Sequence, residues 1–176
     1  MTGSMQQVSI DDVESVPHFM GINSHRKPLS RAIDGMGFAM VYFELDPGES
    51  FSGGLHTHRD QEELFYVLEG TATWEIKEGP GADLETYEVG PGEVVHFQQD
   101  GPYQTGGNRS DERVVAVALG VPNPRHGWAD TEVLVDCAGC DRETVHDVVA
   151  DDPADERMPD LEEMSVICQE CGTAAL

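Results

Sequence analysis

Between residues 37 and 121, short apolar runs alternate with short polar breaks, and no stretch repeats apolar residues at helical spacing. The runs cover residues 38–45, 51–58, 63–68, 71–77, 84–89, 93–97 and 113–121. Their lengths and their β-branched and aromatic content suit strands. Between them stand turn signals: Asp46-Pro47-Gly48, Glu69-Gly70, Glu78-Gly79-Pro80-Gly81, Gly90-Pro91-Gly92, Asp100-Gly101-Pro102 and Gly106-Gly107-Asn108. Glycine supplies left-handed turn conformations and proline fixes φ, so both punctuate strands. Short, regular strands with frequent turns predict an all-β sandwich or barrel.

The flanks read differently. Residues 1–36 form an irregular arm with Pro17 and Pro28 as breakers, expected to pack outside the main domain or to make a subunit contact. Residues 122–130, with Pro122 and Pro124, read as a linker. In the segment 131–176, strands are expected over 143–149 and 164–167, separated by a highly acidic loop over 150–163. The chain thus divides into arm 1–36, barrel 37–121, linker 122–130 and C-terminal segment 131–176. No internal repeat is found.

Charge narrows the setting. The 176 residues carry a formal net charge of −24, from 34 acidic and 10 basic residues. The lysines are Lys27 and Lys77. So acidic a surface repels itself unless counterions screen it, which suggests a cytoplasmic protein of a salt-accumulating organism. It also argues against nucleic acid, which needs a basic surface. No apolar run is long enough to span a membrane, and residues 1–12 lack the cationic and apolar regions of a secretory signal.

Candidate chemistry begins at His56 and His58. One residue apart, they share a face if they lie on a strand. Glu63 opens the next predicted strand. Two imidazoles and a carboxylate converging from adjacent strands make a metal site with open positions. Glu62 competes with Glu63. Strand alternation puts Glu63, Phe65 and Val67 on one face, and Glu62, Leu64 and Tyr66 on the other. Apolar residues on both faces predict a strand covered on its second side, by the arm or by another subunit in a homodimer. Phe65, Tyr66 and Trp74 read as core packing rather than as substrate-stacking residues.

His56-Thr57-His58, four residues, Glu63, six residues and Gly70 together resemble the first motif of the cupin family. The resemblance covers residues 37–121. It implies a double-stranded β-helix, or jelly-roll barrel, with a divalent transition metal (iron, manganese, nickel or zinc) in its mouth, held by His56, His58 and Glu63. Asp46-Pro47-Gly48-Glu49 also fits, although Gly48 stands further from His56 than the family spacing allows. Gly90-Pro91-Gly92-Glu93-Val94-Val95 opens the second motif. Counting forward from Gly101 and back from Asn108 puts Gln104 where the family has a ligand histidine, and Gln99 stands near the place of the motif's proline. An amide oxygen is a weaker, harder ligand than imidazole. His96 is an alternative fourth ligand if its strand turns it inward.

Four cysteines form two Cys-x-x-Cys pairs, Cys137/Cys140 and Cys168/Cys171. In an intracellular protein this spacing points to metal rather than to disulfides. The pairs resemble the two knuckles of a zinc ribbon, which implies a closed structural zinc site. Their separation exceeds that of a compact ribbon, and the acidic loop provides the excess.

Three functional readings follow. One is a metal-dependent oxygenase or isomerase acting on a small polar molecule. Another is a non-catalytic sensor or scaffold for a small ligand, favoured by Gln104 and by the closed cysteine site. In the third, both metals only stabilise the fold in high salt. No catalytic residue and no organic cofactor motif is assigned from the sequence.

Overall fold

The structure, a computed structural model, describes residues 5–18, 20–122, 130–150 and 163–175. These residues form β1 (His25–Pro28), β2 (Ala39–Leu45), β3 (His56–His58), β4 (Glu62–Glu69), β5 (Ala72–Lys77) and β6 (Glu85–Val89). They continue with β7 (Val94–Phe97), β8 (Tyr103–Gly107), β9 (Val114–Val121), β10 (Thr131–Cys137), β11 (Arg142–Ala150) and β12 (Met164–Cys168). Short 3-10 turns occupy Ile10–Asp12 and Leu29–Arg31. One sheet has the order β1-β2-β9-β4-β7 and the other β12-β11-β10-β3-β8-β5-β6. The result is the all-β jelly-roll barrel that the sequence predicts. Among the described residues, no helix is long and apolar enough to cross a membrane.

Alternation makes the core. On β2, Ala39, Val41, Phe43 and Leu45 are buried, while the residues between them are half-buried. Val41, Phe43 and Leu45 meet Phe51, Phe65, Val67, Trp74, Phe97 and the inner face of β9 between the sheets. Trp74 is fully buried, with ring centroids 5.3 Å from both Phe51 and Phe65. Each such aromatic contributes roughly 1.5–3 kcal/mol through burial alone. Tyr66, by contrast, faces outward and is 40% exposed, so it is not a core residue.

β8 departs from the sequence expectation. Its glycines look like turn signals, yet all five of its residues are buried in the sheet. A Cβ at Gly106 would lie 2.5 Å from Trp74 Cε2, and one at Gly107 would lie 2.8 Å from the Glu49 carbonyl oxygen. These glycines make room for neighbours rather than turning the chain. The predicted strand over 51–58 shortens to β3, because the chain bends through Ser52-Gly53-Gly54 and Gly54 adopts φ +152°.

The arm is ordered around the barrel. β1 pairs with β2 through Arg26↔Phe43 and its neighbours. Asn23, nearly fully buried, accepts a hydrogen bond from the His18 amide and donates to the Ser50 carbonyl, so it anchors the arm to the barrel. β10 pairs with β3 through Thr131↔His58, Glu132↔Thr57 and Val133↔His56, so one sheet runs from the barrel into the C-terminal segment. Val148, Met164 and Val166 form a second apolar cluster with Val133 and Val135. Most of the linker and of the acidic loop lies outside the described residues.

Candidate functional site

His56 and His58 project from the same face of β3, with ring centroids 5.1 Å apart and planes at 80°. Glu63, on β4 in the opposite sheet, meets them. Its Oε2 is 3.7 Å from His56 Nε2, and its Oε1 is 3.6 Å from His58 Nε2. Each imidazole is oriented from behind. His56 Nδ1 lies 2.9 Å from the Gly54 carbonyl oxygen, and His58 Nδ1 lies 3.1 Å from Thr131 Oγ1. A carbonyl can only accept, so His56 carries a proton on Nδ1 and its Nε2 faces Glu63 and the Gln104 amide. Glu63 and His56 are buried.

Gln104 completes the group. Its Nε2 donates to Glu63 Oε2 at 3.0 Å and lies 3.2 Å from His56 Nε2. Its Oε1 is buried and without a hydrogen-bond partner among the described residues. His96 does not join. It faces outward on β7, with its Nε2 2.9 Å from Glu62 Oε2, and both side chains are exposed. The alternation that separates Glu63 from Glu62 therefore holds, and His96 is corrected from a possible ligand to a surface partner of Glu62, because its β7 register, Leu64↔His96, turns it outward with Leu64 and Glu62.

The donors of His56, His58 and Glu63 all lie within 4.8 Å of one another. Ligands about 2.1 Å from a shared ion stand roughly 3–3.5 Å apart, so small side-chain movements close the set. Two oriented imidazoles and a buried carboxylate fit a divalent transition metal, with the Gln104 amide presenting Nε2 beside them. Burial lowers the His58 pKa, but the Glu63 charge and hydrogen bond, with Asp60, outweigh it and raise His58 above its ordinary value. A cation at the site would compete with that proton for the same lone pair.

The three residues open onto a cavity of about 340 Å³. Phe43, Phe51 and Phe65 line it from the barrel, and Val148, Met164 and Val166 from the C-terminal strands. His18, Arg26 and Ser52 also face it. None of the three stands out along the chain: nothing local distinguishes a histidine and an arginine in an irregular arm, or a serine at the start of a predicted strand. His18 is pushed down to about 4 by burial, then by the charges of Arg26 and His56, so it is neutral at pH 7.

The four cysteines also converge, with their sulfurs within 4.8 Å of one another. Cys137 and Cys171 Sγ are 3.5 Å apart, and Cys140 and Cys168 Sγ 3.9 Å. Thiolates about 2.3 Å from one zinc stand roughly 3.8 Å apart in a tetrahedron. The turns are closed by Asp141 N–H to the Cys137 carbonyl and by Gly172 N–H to the Cys168 carbonyl. Gly172 has φ +73°, as such a turn requires. A Cβ on Gly139 would sit 2.9 Å from Cys171 Sγ. The Thr144 hydrogen bond, opposed by burial and aided by backbone amides, lowers Cys168 to about 6. The bond to Cys171, with burial, pushes Cys140 up to about 12. The set fits a closed structural zinc site.

Residues 41–120 match the cupin domain family. No curated protein sequence matches this chain. A sugar phosphate isomerase of the cupin superfamily from Silicibacter pomeroyi is 18% identical, with TM-score 0.60 over 95% of each chain. A protein from Acidithiobacillus ferrooxidans, provisionally described as a sugar phosphate isomerase, is 21% identical, with TM-score 0.54 over 77% of this chain and 85% of its own. An uncharacterized conserved protein with a double-stranded β-helix domain from Klebsiella pneumoniae is 16% identical, with TM-score 0.50 over 68% and 92%. At these identities the likeness bears on the fold. Barrel, motif and family match agree: this chain contains a cupin domain, and its C-terminal strands carry a cluster of four cysteines.

Proposed function

We propose that this protein is a metal-binding cupin that acts on or binds a small polar molecule. One observation carries the reading: His56, His58 and Glu63 converge at the wall of a cavity large enough for a metabolite. A divalent transition metal held there would act as a Lewis acid on a bound oxygen. In the enzyme reading, an oxygenase or isomerase, the imidazoles hold the ion and the cavity orients the substrate. In the alternative reading, a sensor or scaffold, Gln104 in the fourth position favours retention over turnover.

The four cysteines hold structural zinc in a ribbon-like segment, supported by their spacing and their tight turns. The protein forms a homodimer through the outer face of β4 and β7, where Tyr66, Leu68 and Val94 are exposed. Its acidity suits a cytoplasm rich in salt.

Elemental analysis of the purified protein and three variants tests the metal. The parent should hold one transition-metal equivalent that His58→Ala lacks. Glu63→Gln should lose more metal than Glu62→Gln, since Glu62 faces solvent. Equal metal in His58→Ala and the parent would sink the reading.

A further inference from the structure

Among the described residues, one cation of this acidic protein is placed unlike the others. Arg26 lies on β1 and is 7% exposed. It lines the same cavity as His56, His58 and Glu63. Among the described residues no carboxylate pairs with it, and its guanidinium meets only the Val16 carbonyl, 3.4 Å from Nη1. An isolated buried charge is costly to fold, and a protein with 34 acidic residues could readily have paired it. Burial, then the charge of Arg31, lowers Arg26 to about 10, so it stays cationic at neutral pH.

A second polar group lines the same cavity. Ser52 Oγ is buried without a hydrogen-bond partner among the described residues, and Ser52 also lines the cavity. Apart from His18, Thr131 and the trio of His56, His58 and Glu63, the rest of the lining is mainly apolar: Met20, Phe43, Phe51, Leu55, Val148 and Met164 among others.

We propose that Arg26 and Ser52 form an anion subsite in the barrel cavity, and that the ligand is a small organic anion with an apolar body. Its carboxylate or phosphate head meets the guanidinium, whose planar fork pairs two oxygens at once. The serine hydroxyl donates to the head, and the hydrocarbon body fills the space toward Phe51 and Val148. The proposal rests on the reading of the cavity as a ligand site, but not on the metal.

Calorimetric titration tests it with benzoate, phenyl phosphate and the neutral isostere benzamide, each on the full chain with its metal content measured. Benzoate or phenyl phosphate should bind the parent about 10- to 100-fold more tightly than benzamide, the range of a charge-assisted hydrogen bond. Whichever anion binds more tightly identifies the head group. Arg26→Gln should abolish the preference, Arg26→Lys should keep part of it, and Ser52→Ala should weaken it several-fold. The comparison of anion with isostere uses the unmodified protein, so it survives a variant that fails to fold. Equal binding of benzoate, phenyl phosphate and benzamide overturns the subsite while leaving the cavity reading intact. A preference that persists in Arg26→Gln also overturns it, because the anion then sits on the metal side. No binding of any probe overturns the cavity reading and the subsite together. A preference that depends on Arg26 in protein without barrel metal upholds the subsite and refutes the metal.

Discussion

Gly106→Ala probes the link between core packing and the metal centre. The added Cβ would stand 2.5 Å from Trp74 Cε2 and Nε1 and 2.9 Å from Cζ2. Carbon atoms pack at about 3.5–4.0 Å, so roughly 1 Å must be opened. Trp74 cannot yield, because it is fully buried and flanked by Phe51 and Phe65. The backbone of β8 cannot yield freely either, being registered on β5 and holding the Phe51 amide through the Gly106 carbonyl. Overpacking costs typically 1–3 kcal/mol, and confinement on both sides puts this case at about 3 kcal/mol. For a chain of this size that lowers the melting temperature by about 6–12 °C. Gln104 lies two residues away on the same face of β8, so its contact with Glu63 should loosen and metal affinity should fall as well. Differential scanning calorimetry and metal titration read the two effects. Gly90→Ala is the control, since its nearest atom is an exposed Glu93 oxygen at 3.4 Å. A Gly106→Ala protein that melts within about 2 °C of the parent would refute the packing argument.

Cys168→Ser should lose zinc and hydrogen-exchange protection in β11 and β12, while β2, β4 and β9 stay protected. Because Met164 and Val166 line the cavity, the variant should also bind more of an apolar dye; loss of protection throughout would mean that the cysteine site holds the whole barrel. Melting temperature at pH 7.5 should climb steeply with potassium chloride from dilute to molar, as the Debye length falls from roughly 30 Å at 0.01 M to about 3 Å at 1 M. A flat profile would contradict the screening argument built on the charge of −24. His18 should make stability depend on acid. Its pKa falls from 6.5 to about 4 on folding, so below 6.5 the unfolded chain takes up the proton first and stability is lost as pH drops toward 4. His18→Gln should flatten that part of the stability–pH curve in denaturant titrations, and an unchanged slope would count against the burial of a neutral imidazole.

Much of the barrel and the core of its site could be read along the chain. Strand alternation is a local, period-two property, so Ala39–Leu45, Glu62–Glu69 and Val114–Val121 emerge within a residue or so of their predicted bounds. The same parity puts His56 and His58 on one face and separates buried Glu63 from exposed Glu62. Cysteine pairing is equally local, since a two-residue spacing aims both sulfurs at one point. Gln104 was found only by counting through the motif of a resembling family, not from its own strand.

What the sequence by itself determined is therefore whatever depends on near neighbours: the β class, the face of each ligand and the knuckles. Only the tertiary structure decided the rest. β8 was hidden because its glycines answer to Trp74 and Glu49, which lie far away in sequence. His96 turns outward through its register on β4. Arg26, His18 and Ser52 reach the cavity because β1 docks on β2 and Asn23 bonds to the Ser50 carbonyl. β10 carries the sheet from the barrel into the cysteine-bearing strands by pairing with β3. Each of these rests on a contact between distant segments, and periodicity along a chain holds no information about which distant segment arrives opposite.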